Sequence, residues 1–266
     1  MQTTTQSGAA AMAQATALLC CDGMKEQESR NEPFLSGGAY LDVRYSESRA
    51  PRGRYPDLLA RELVRRAYGR PGRLLDLGCG RGDQLAAFHR LGFDVAGVDV
   101  SERAPGLAAG LPVEVVDLER DPLPFPDESF DFVFSKSVLE HLHEPAAVVA
   151  KARAALRPGG VAVFMTPSWE HSYRGPFYYE YSHVTPFTRQ SLRLALEYAG
   201  LEPLEVSYFR QLPFLWRRPA LGPLVAAAAR LPLRYRPYHE VPWPDAVNKL
   251  VRFSKEVLLL GVARRA

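Results

Sequence analysis

Hydrophobic positions along the chain alternate between short apolar runs and amphipathic stretches, beginning near residue 56. In residues 56–70 the leucines and alanines recur at helical spacing, and Gly72 then opens the short apolar run RLLDL. The next stretch, DQLAAFHRLG, has its apolar side chains on one helical face, and Gly92 ends it before the run FDVAGV. The pattern therefore predicts a β-α-β unit preceded by a helix.

Strands and helices continue to alternate after this unit. Strands are predicted at 112–116, 130–135 and 161–166, and the last follows a helix, AAVVAKARAAL, and a turn at 158–160. Thr188 is a suitable N-cap for the helix RQSLRLALEYAG, and the strands LEPLEVSYF and EVLLLGVAR come later. This alternation predicts an α/β fold with a doubly wound, mainly parallel sheet.

Other parts of the chain fall outside this alternation. The last two predicted strands are separated by about 45 residues rich in proline, arginine and aromatic side chains, too many for an ordinary loop. We expect a cap on the substrate side, formed by residues 168–187 (the first cap segment) and residues 208–254 (the second cap segment). Residues 1–32 are predicted to be a disordered tail, and residues 33–266 a single domain.

Composition limits the classes of partner. The 33 lysines and arginines nearly balance 30 acidic residues, so the sequence predicts no binding of nucleic acid. The three cysteines have no metal-ligand spacing, so no metal site is predicted, and free thiols favour a cytoplasmic location. No apolar run reaches the roughly 20 residues of a membrane-spanning helix, so any membrane contact is expected to be peripheral.

A glycine-rich loop lies where the first predicted strand gives way to a helix. In LLDLGCGRGD the glycines are Gly78, Gly80 and Gly82, which let the backbone turn sharply and approach a ligand closely. Such a loop serves dinucleotides as well as other nucleotide-like cofactors. Asp76 and Asp83 flank it, and carboxylates at this point repel a pyrophosphate but suit a ligand with ammonium and sulfonium groups.

Further aspartates follow the next two predicted strands. Asp99 ends the second strand, where a carboxylate can accept hydrogen bonds from both ribose hydroxyls. Asp117 follows the third strand and offers a carboxylate to an adenine amino group. Each aspartate alone is more typical of a helix cap or a turn, but their register with the glycine loop favours an adenosyl cofactor.

Several ordered motifs make the pattern more specific. LLDLGCGRGD, GVDVS, LPFPDESFDFVFSKSVLEHL and LRPGG resemble the class I S-adenosylmethionine-dependent methyltransferases, in particular those of quinone biosynthesis and small-molecule type. The resemblance covers about residues 70–205. It implies S-adenosylmethionine as cofactor and a seven-stranded Rossmann-like sheet whose last strand, here EVLLLGVAR, is antiparallel.

The resemblance also implies site residues. It gives Asp76 and Gly78 to the methionine end of the cofactor, and Ser135 to the lining of the methyl donor. His141, in the family pattern VLEHL, is expected to shape the cofactor site more than to remove a substrate proton. The complete set of cofactor residues is Asp76, Gly78, Cys79, Gly80, Gly82, Asp99, Val100, Asp117, Leu118 and Ser135, with Asp99 at the ribose and Asp117 and Leu118 at the adenine.

The acceptor is expected to be a small or lipid-like molecule. The sequence does not distinguish between oxygen, nitrogen and carbon as its reacting atom. If it is a hydroxyl oxygen, His171 and His183 of the first cap segment are candidate general bases, beside His141. In the alternative interpretation this segment is an aromatic loop packed over the sheet, with His183 capping the next helix. Residues 208–240, rich in arginine, suit either an anionic membrane surface or a helical insertion with solvated arginines.

Two other functions compete with methyl transfer. A nicotinamide-dependent oxidoreductase would use the same glycine loop and Asp99, but Asp83 and the downstream motifs oppose it. A catalytically silent module that binds the cofactor would retain every cofactor motif and lack an acceptor base.

Overall fold

In the described part of the chain, seven strands form one sheet. The computed structural model describes residues 39–48, 50–173, 175–237 and 239–266, so the predicted tail at 1–32 lies outside the described residues. The strands are β1 (Arg73–Leu77), β2 (Asp94–Asp99), β3 (Val113–Val115), β4 (Phe130–Lys136), β5 (Leu156–Pro167), β6 (Glu202–Arg210) and β7 (Val257–Arg264). Their order is β3-β2-β1-β4-β5-β7-β6, and β7 runs antiparallel to both neighbours. The predicted seven-stranded, mainly parallel sheet is confirmed.

Helices cover both faces of this sheet. They are α1 (Ala39–Tyr45), α2 (Tyr55–Leu63), α3 (Asp83–Arg90), α4 (Ala104–Leu107), α5 (Pro145–Ala155), α6 (Trp169–Ser172), α7 (Arg189–Tyr198), α8 (Pro213–Arg217), α9 (Gly222–Ala228) and α10 (Asp245–Lys255). A π-helical turn at Val64–Tyr68 prolongs α2, and short 3-10 turns lie at Leu139–His141, Pro176–Tyr179 and Pro219–Leu221. None of the helices within the described ranges has both the length and the apolar character of a membrane span.

The apolar core is divided into two layers by the sheet. Successive side chains of a strand point to opposite faces, so Leu74 of β1 joins one layer and Leu75 joins the other. One layer packs α2 and α3 against the sheet through side chains such as Leu59 and Phe88, and the other packs α5 and α7. This burial of apolar helix faces on both sides of a mostly parallel sheet is the doubly wound arrangement.

Local signals in the sequence explain where several elements begin. Thr188 caps α7 as predicted: its side chain accepts a hydrogen bond from the Ser191 backbone N–H at 3.1 Å, and the Ser191 hydroxyl accepts one from the Thr188 N–H at 2.8 Å. The alternative interpretation of His183 as the cap of this helix is therefore wrong.

The turn predicted at 158–160 lies within β5, whose pairing with β4 shifts register between Phe130 and Phe132. The strand thus begins five residues before the predicted start at 161.

The second cap segment connects β6 to β7 at a single edge of the sheet. Because β6 and β5 both run antiparallel to β7, β6 ends at the same edge as the parallel strands, and β7 begins there. Within the segment, the Trp216 indole donates to the Arg210 carbonyl at 2.9 Å, and its ring packs against Tyr55 and Phe209. The segment contains the short helices α8 and α9 and most of α10, and Trp216 attaches it to the start of α2 next to the carboxyl edge of the sheet.

Candidate cofactor site and histidine cluster

The glycine loop between β1 and α3 is held tightly against its neighbours. The backbone N–H groups of Gly78 and Cys79 both donate to the Val98 carbonyl, at 2.8 and 3.0 Å. Gly78 has a φ of +75°, and a Cβ added there would lie 2.3 Å from a methyl carbon of Val138. Gly82 has a φ of +73°, and its Cβ would lie 3.0 Å from the Cα of Ala108. Any side chain at either position would therefore meet both backbone strain and a packed neighbour.

Asp99 ends β2 directly beneath this loop. One carboxylate oxygen accepts a hydrogen bond from the Gly80 N–H at 2.7 Å, and the other accepts from the Ser101 N–H at 3.0 Å. Tyr40 of α1 donates its hydroxyl to that second oxygen at 2.7 Å. Burial raises the pKa of Asp99 above its ordinary value, while these three donors oppose the rise. The structure thus places the Asp99 carboxylate beside the glycine loop, and its contact with a ribose stays a prediction. Tyr40, which joins Asp99 here, was not predicted from the sequence.

Asp76 provides an uncompensated acidic group at the end of β1. Its side chain is buried, and its Oδ2 atom has no hydrogen-bond partner among the described residues. Burial raises the pKa of Asp76 to about 8, the nearby Asp99 adds to the rise, and the Lys136 ammonium opposes it. A buried carboxylate of this kind is stabilised by a cationic ligand, so the site fits the ammonium and sulfonium groups of S-adenosylmethionine.

Asp83, by contrast, does not supply the negative potential that the sequence analysis attributed to it. Its carboxylate is paired with Arg81 at 2.6 Å and with Arg52 at 2.9 Å. Arg81 also donates to the carbonyl oxygens of Tyr45 and Ala50, which ties the start of the described chain to the glycine loop. The negative potential that would repel a pyrophosphate therefore comes from Asp76 and not from Asp83.

The other predicted cofactor residues follow β2 and β3, lie near the end of β4, or belong to the glycine loop: Val100 follows β2, Asp117 and Leu118 follow β3, and Ser135 is the second-last residue of β4. Asp117 accepts backbone hydrogen bonds from Glu119 and Arg120, at 2.9 and 3.3 Å, which fixes a turn after β3. The Ser135 hydroxyl donates to the Leu77 carbonyl at 3.0 Å and joins β4 to β1. Cys79 and Leu118 are buried, and Val100 is half-buried. The structure thus brings the predicted residues to one edge of the sheet; their individual contacts with a cofactor stay predictions.

Two of the three predicted histidines meet beside a buried glutamate. The rings of His141 and His183 lie edge to face with centroids 4.8 Å apart, and one candidate ligand atom from each of Glu140, His141 and His183 lies within 4.8 Å of the others. The His141 Nδ1 is 3.0 Å from the Ser182 hydroxyl. Burial raises the pKa of Glu140. We call this group the Glu140–His141–His183 cluster. No role for Glu140 was predicted from the sequence, and the histidines were separate candidates there.

His171 makes a different set of contacts. Its Nδ1 is 2.9 Å from the Ser168 hydroxyl, and its ring lies edge to face with Tyr208 of β6, with centroids 4.6 Å apart. Burial, and then the nearby Arg210, lower the pKa of His171, which favours the neutral imidazole. His171 therefore has the protonation state of a base, but its contacts join it to β6 and not to the cluster.

Comparison with known proteins agrees with this architecture. The methyltransferase-domain family matches residues 49–206. The chain is 36% identical over 100 residues to a ubiquinone biosynthesis O-methyltransferase of Cereibacter sphaeroides, covering 35% of this chain and 40% of that enzyme. It is 35% identical over 164 residues to a 37.1 kDa protein of transposon TN4556 from Streptomyces fradiae, covering 54% of this chain and 46% of that protein. The chain thus spans less than half the length of these curated relatives.

Solved structures share the fold at low sequence identity. A putative methyltransferase of Haloferax volcanii, in complex with the Trm112 activator, superposes with a TM-score of 0.61 at 20% identity, covering 86% of this chain and 97% of that one. The 1,6-didemethyltoxoflavin-N1-methyltransferase of Burkholderia thailandensis, with bound S-adenosylhomocysteine, gives 0.53 at 18% identity, covering 96% and 90%.

The family match includes the glycine loop, Asp76 and Asp99, and it extends over more than half of the chain. The placement of an antiparallel β7 between β5 and β6 also differs from the 3-2-1-4-5-6 strand order of dinucleotide-binding folds, which opposes the oxidoreductase alternative. Both the predicted fold and the predicted family, with S-adenosylmethionine as the methyl donor of that family, are confirmed. The chain belongs to the class I S-adenosylmethionine-dependent methyltransferases.

Proposed function

We propose that the chain transfers a methyl group from S-adenosylmethionine to a hydroxyl oxygen of a small or lipid-like acceptor. The observation that carries the donor side is the unpartnered, buried Asp76 carboxylate beside the glycine loop. S-adenosylmethionine would supply a sulfonium methyl group, whose carbon an acceptor atom attacks in line while the thioether sulfur leaves. Asp76 would bind the cationic methionine end, and Asp99 would accept the ribose hydroxyls. Holding donor and acceptor in line can supply on the order of 7–11 kcal/mol of the barrier reduction.

A hydroxyl acceptor is supported by the basic side chains at the carboxyl edge of the sheet, the edge where the glycine loop lies. Loss of a hydroxyl proton needs a basic or electrophilic group, whereas attack by a neutral amine does not. The Glu140–His141–His183 cluster follows β4 and precedes α7, and it joins three such groups in one place. The ubiquinone relative is an O-methyltransferase, and the toxoflavin enzyme shows that the same fold also serves nitrogen acceptors. The cluster is therefore our candidate for deprotonation, in preference to His171.

The second cap segment supports an acceptor of lipid-like character. Leu224, Leu231 and Leu233 are exposed, and Leu224 retains 68% of its accessible surface. The arginines of residues 208–240 within this segment are Arg210, Arg217, Arg218, Arg230, Arg234 and Arg236. Exposed apolar side chains among arginines suit peripheral contact with an anionic membrane surface. Sedimentation with anionic vesicles at low salt, compared with neutral vesicles, tests this contact, and equal recovery in the two supernatants would contradict it.

Transfer of a labelled methyl group tests the whole proposal. The purified protein is incubated with labelled S-adenosylmethionine and a cell extract, and the products are partitioned between organic and aqueous phases. Label in the organic phase supports a lipid-like acceptor, and label in the aqueous phase supports a polar one. An Asp76→Asn variant serves as the matched control, because it removes one charge without changing side-chain volume. Binding of the donor with no transfer into any phase would instead identify a catalytically silent module.

Substitution of the histidines tests the choice of cluster. We expect His141→Ala and His183→Ala to lower the rate of transfer by at least about 100-fold, in the range typical of lost proton-transfer groups. His171→Ala removes one imidazole outside the cluster and should retain most of the rate. If all three variants kept the wild-type rate, no histidine would take part in deprotonation.

A further inference from the structure

The Glu140–His141–His183 cluster has the composition of a metal site. Two imidazoles and one carboxylate form the donor set of catalytic zinc sites and of many non-haem iron sites. Ligand atoms about 2.1 Å from one ion lie up to about 4.2 Å from each other. The three candidate ligand atoms already lie within 4.8 Å of one another, so small side-chain rotations bring them to these distances.

The hydrogen bonds around the cluster orient its donor atoms. The Ser182 hydroxyl lies 3.0 Å from the His141 Nδ1, which leaves the Nε2 of the same ring to face a ligand. The Thr166 hydroxyl donates to Glu140 Oε2 at 2.9 Å, so the carboxylate can offer its other oxygen. Hydrogen-bond partners of this kind fix the orientation of metal-binding side chains.

The backbone holds together segments that are distant in sequence. Glu140 and His141 follow β4, whereas His183 lies 42 positions after His141, in the first cap segment. The carbonyl oxygen of Glu140 accepts hydrogen bonds from the N–H groups of Val184 and Thr185, at 2.8 and 3.1 Å. These bonds place His183 beside the other two residues, so the site depends on the fold and not on side-chain contact alone.

We propose that Glu140, His141 and His183 bind a divalent transition-metal ion of the Zn²⁺ class. Glu140 is buried, while the two histidine rings are only half-buried, so the ion would be reachable from the solvent side of the rings. Three protein ligands leave at least one coordination position for an exchangeable oxygen ligand. Edge-to-face packing of the two imidazoles without any ion is the competing explanation, since Phe177 also packs on His183.

The ion would act on the acceptor, and this step rests on the proposed function. An acceptor hydroxyl oxygen that binds the ion loses its proton to water at a lower pH than a free hydroxyl does. That oxygen forms the new bond to the methyl carbon while the carbon–sulfur bond breaks. The electron pair of the broken bond stays on the sulfur of S-adenosylhomocysteine. The proposed acceptor is thus an oxygen compound, with two adjacent oxygens where two coordination positions are open.

Metal binding is tested without donor or acceptor. The full chain, purified without a histidine tag and freed of metal with a chelator, is titrated with Zn²⁺ by calorimetry and with Co²⁺ by visible absorption. We expect one equivalent to bind. Glu140→Gln, His141→Ala and His183→Ala should each weaken binding by more than about 100-fold, and Ser182→Ala by about 10- to 100-fold.

His171→Ala is the matched control, because His171 also has a serine hydroxyl at its Nδ1, 2.9 Å away, and lies outside the cluster. It should bind metal as the wild type does. A further variant, His183→Cys, should add thiolate-to-cobalt charge-transfer absorption, which requires direct coordination and which a packing role cannot produce. Because it reports a gained signal, this variant separates lost coordination from misfolding.

Failure of this proposal is distinguishable from failure of the proposed function. Binding that is absent in the wild type, or that is unchanged in all three ligand variants, would overturn the metal site whether or not methyl transfer occurs. Transfer that persists at the full rate in chelator-treated protein would overturn the role of the ion in the reaction. One equivalent of bound metal that the three ligand variants lose would sustain the site even if no acceptor were found.

Discussion

Replacement of Gly78 by alanine tests how closely the glycine loop is fitted to its surroundings. The new Cβ would lie 2.3 Å from a methyl carbon of Val138, and the backbone would keep a φ of +75°. A left-handed conformation costs a non-glycine residue about 1–2 kcal/mol, and added volume in a packed region costs about 1–3 kcal/mol. We therefore expect Gly78→Ala to lower the free energy of unfolding by about 2–5 kcal/mol.

Gly110 offers a control that isolates the backbone contribution. Its φ is +80°, and a Cβ there would have no neighbour within 4 Å. Gly110→Ala should therefore lose only about 1–2 kcal/mol. Urea or thermal unfolding measures the stability of both variants. For a chain of this size, the additional loss of unfolding free energy in Gly78→Ala corresponds to a melting temperature about 2–12 °C below that of Gly110→Ala.

A double variant isolates the contact itself. Removal of the two Val138 methyl groups in Val138→Ala makes room for the new Cβ of Gly78→Ala, so the two losses should not add. We expect a coupling energy of about 1 kcal/mol or more, with the double variant more stable than the sum predicts. Equal losses for Gly78→Ala and Gly110→Ala, together with zero coupling to Val138, would refute the reasoning.

Three further predictions concern donor binding and helix capping. Since the pKa of Asp76 is raised to about 8, its carboxyl is mostly protonated at pH 7, whereas a cationic donor favours the ionised form. The affinity for the donor, measured by equilibrium dialysis, should therefore rise by up to about tenfold per pH unit from pH 6 to 8. The Asp76→Asn variant should lack this pH dependence. Tyr40→Phe frees an Asp99 oxygen for the ribose and should tighten donor binding by about tenfold in calorimetry, whereas weaker binding would show that Tyr40 contacts the donor. Thr188→Ala should lower the free energy of unfolding by about 1 kcal/mol in urea, and no loss would contradict the capping hydrogen bonds.

The sequence predicts those parts of the fold that local patterns determine. The run RLLDL, the glycine loop and the amphipathic helix after it follow one another within 20 residues, so periodicity and glycine spacing are sufficient to find β1 and α3. The positions of Asp76 and Asp99 follow in turn, because the ends of adjacent parallel strands meet at one edge of the sheet. Thr188 was found from its capping chemistry alone.

Contacts between distant segments were beyond the reach of such patterns. Tyr40 reaches Asp99 across 59 positions, and no periodicity or spacing connects the two. Arg52 also reaches Asp83 from outside the loop and adds to its ion pair with Arg81, so the negative potential predicted from this carboxylate was too large. The motif VLEHL did mark Glu140 and His141, but only the fold brings His183 to them.

The position of β7 explains how this fold can vary its acceptor without changing its donor site. Because β7 is antiparallel and lies between β5 and β6, the chain leaves β6 and enters β7 at the same carboxyl edge where the glycine loop lies. An insertion of any length at this point therefore stays beside the donor site and adds nothing to the opposite edge. The first cap segment also starts at this edge, directly after β5, and it contributes His183 to the cluster. If the proposed function holds, acceptor recognition can thus change in two surface segments, while the sheet, the glycine loop and Asp99 stay unchanged.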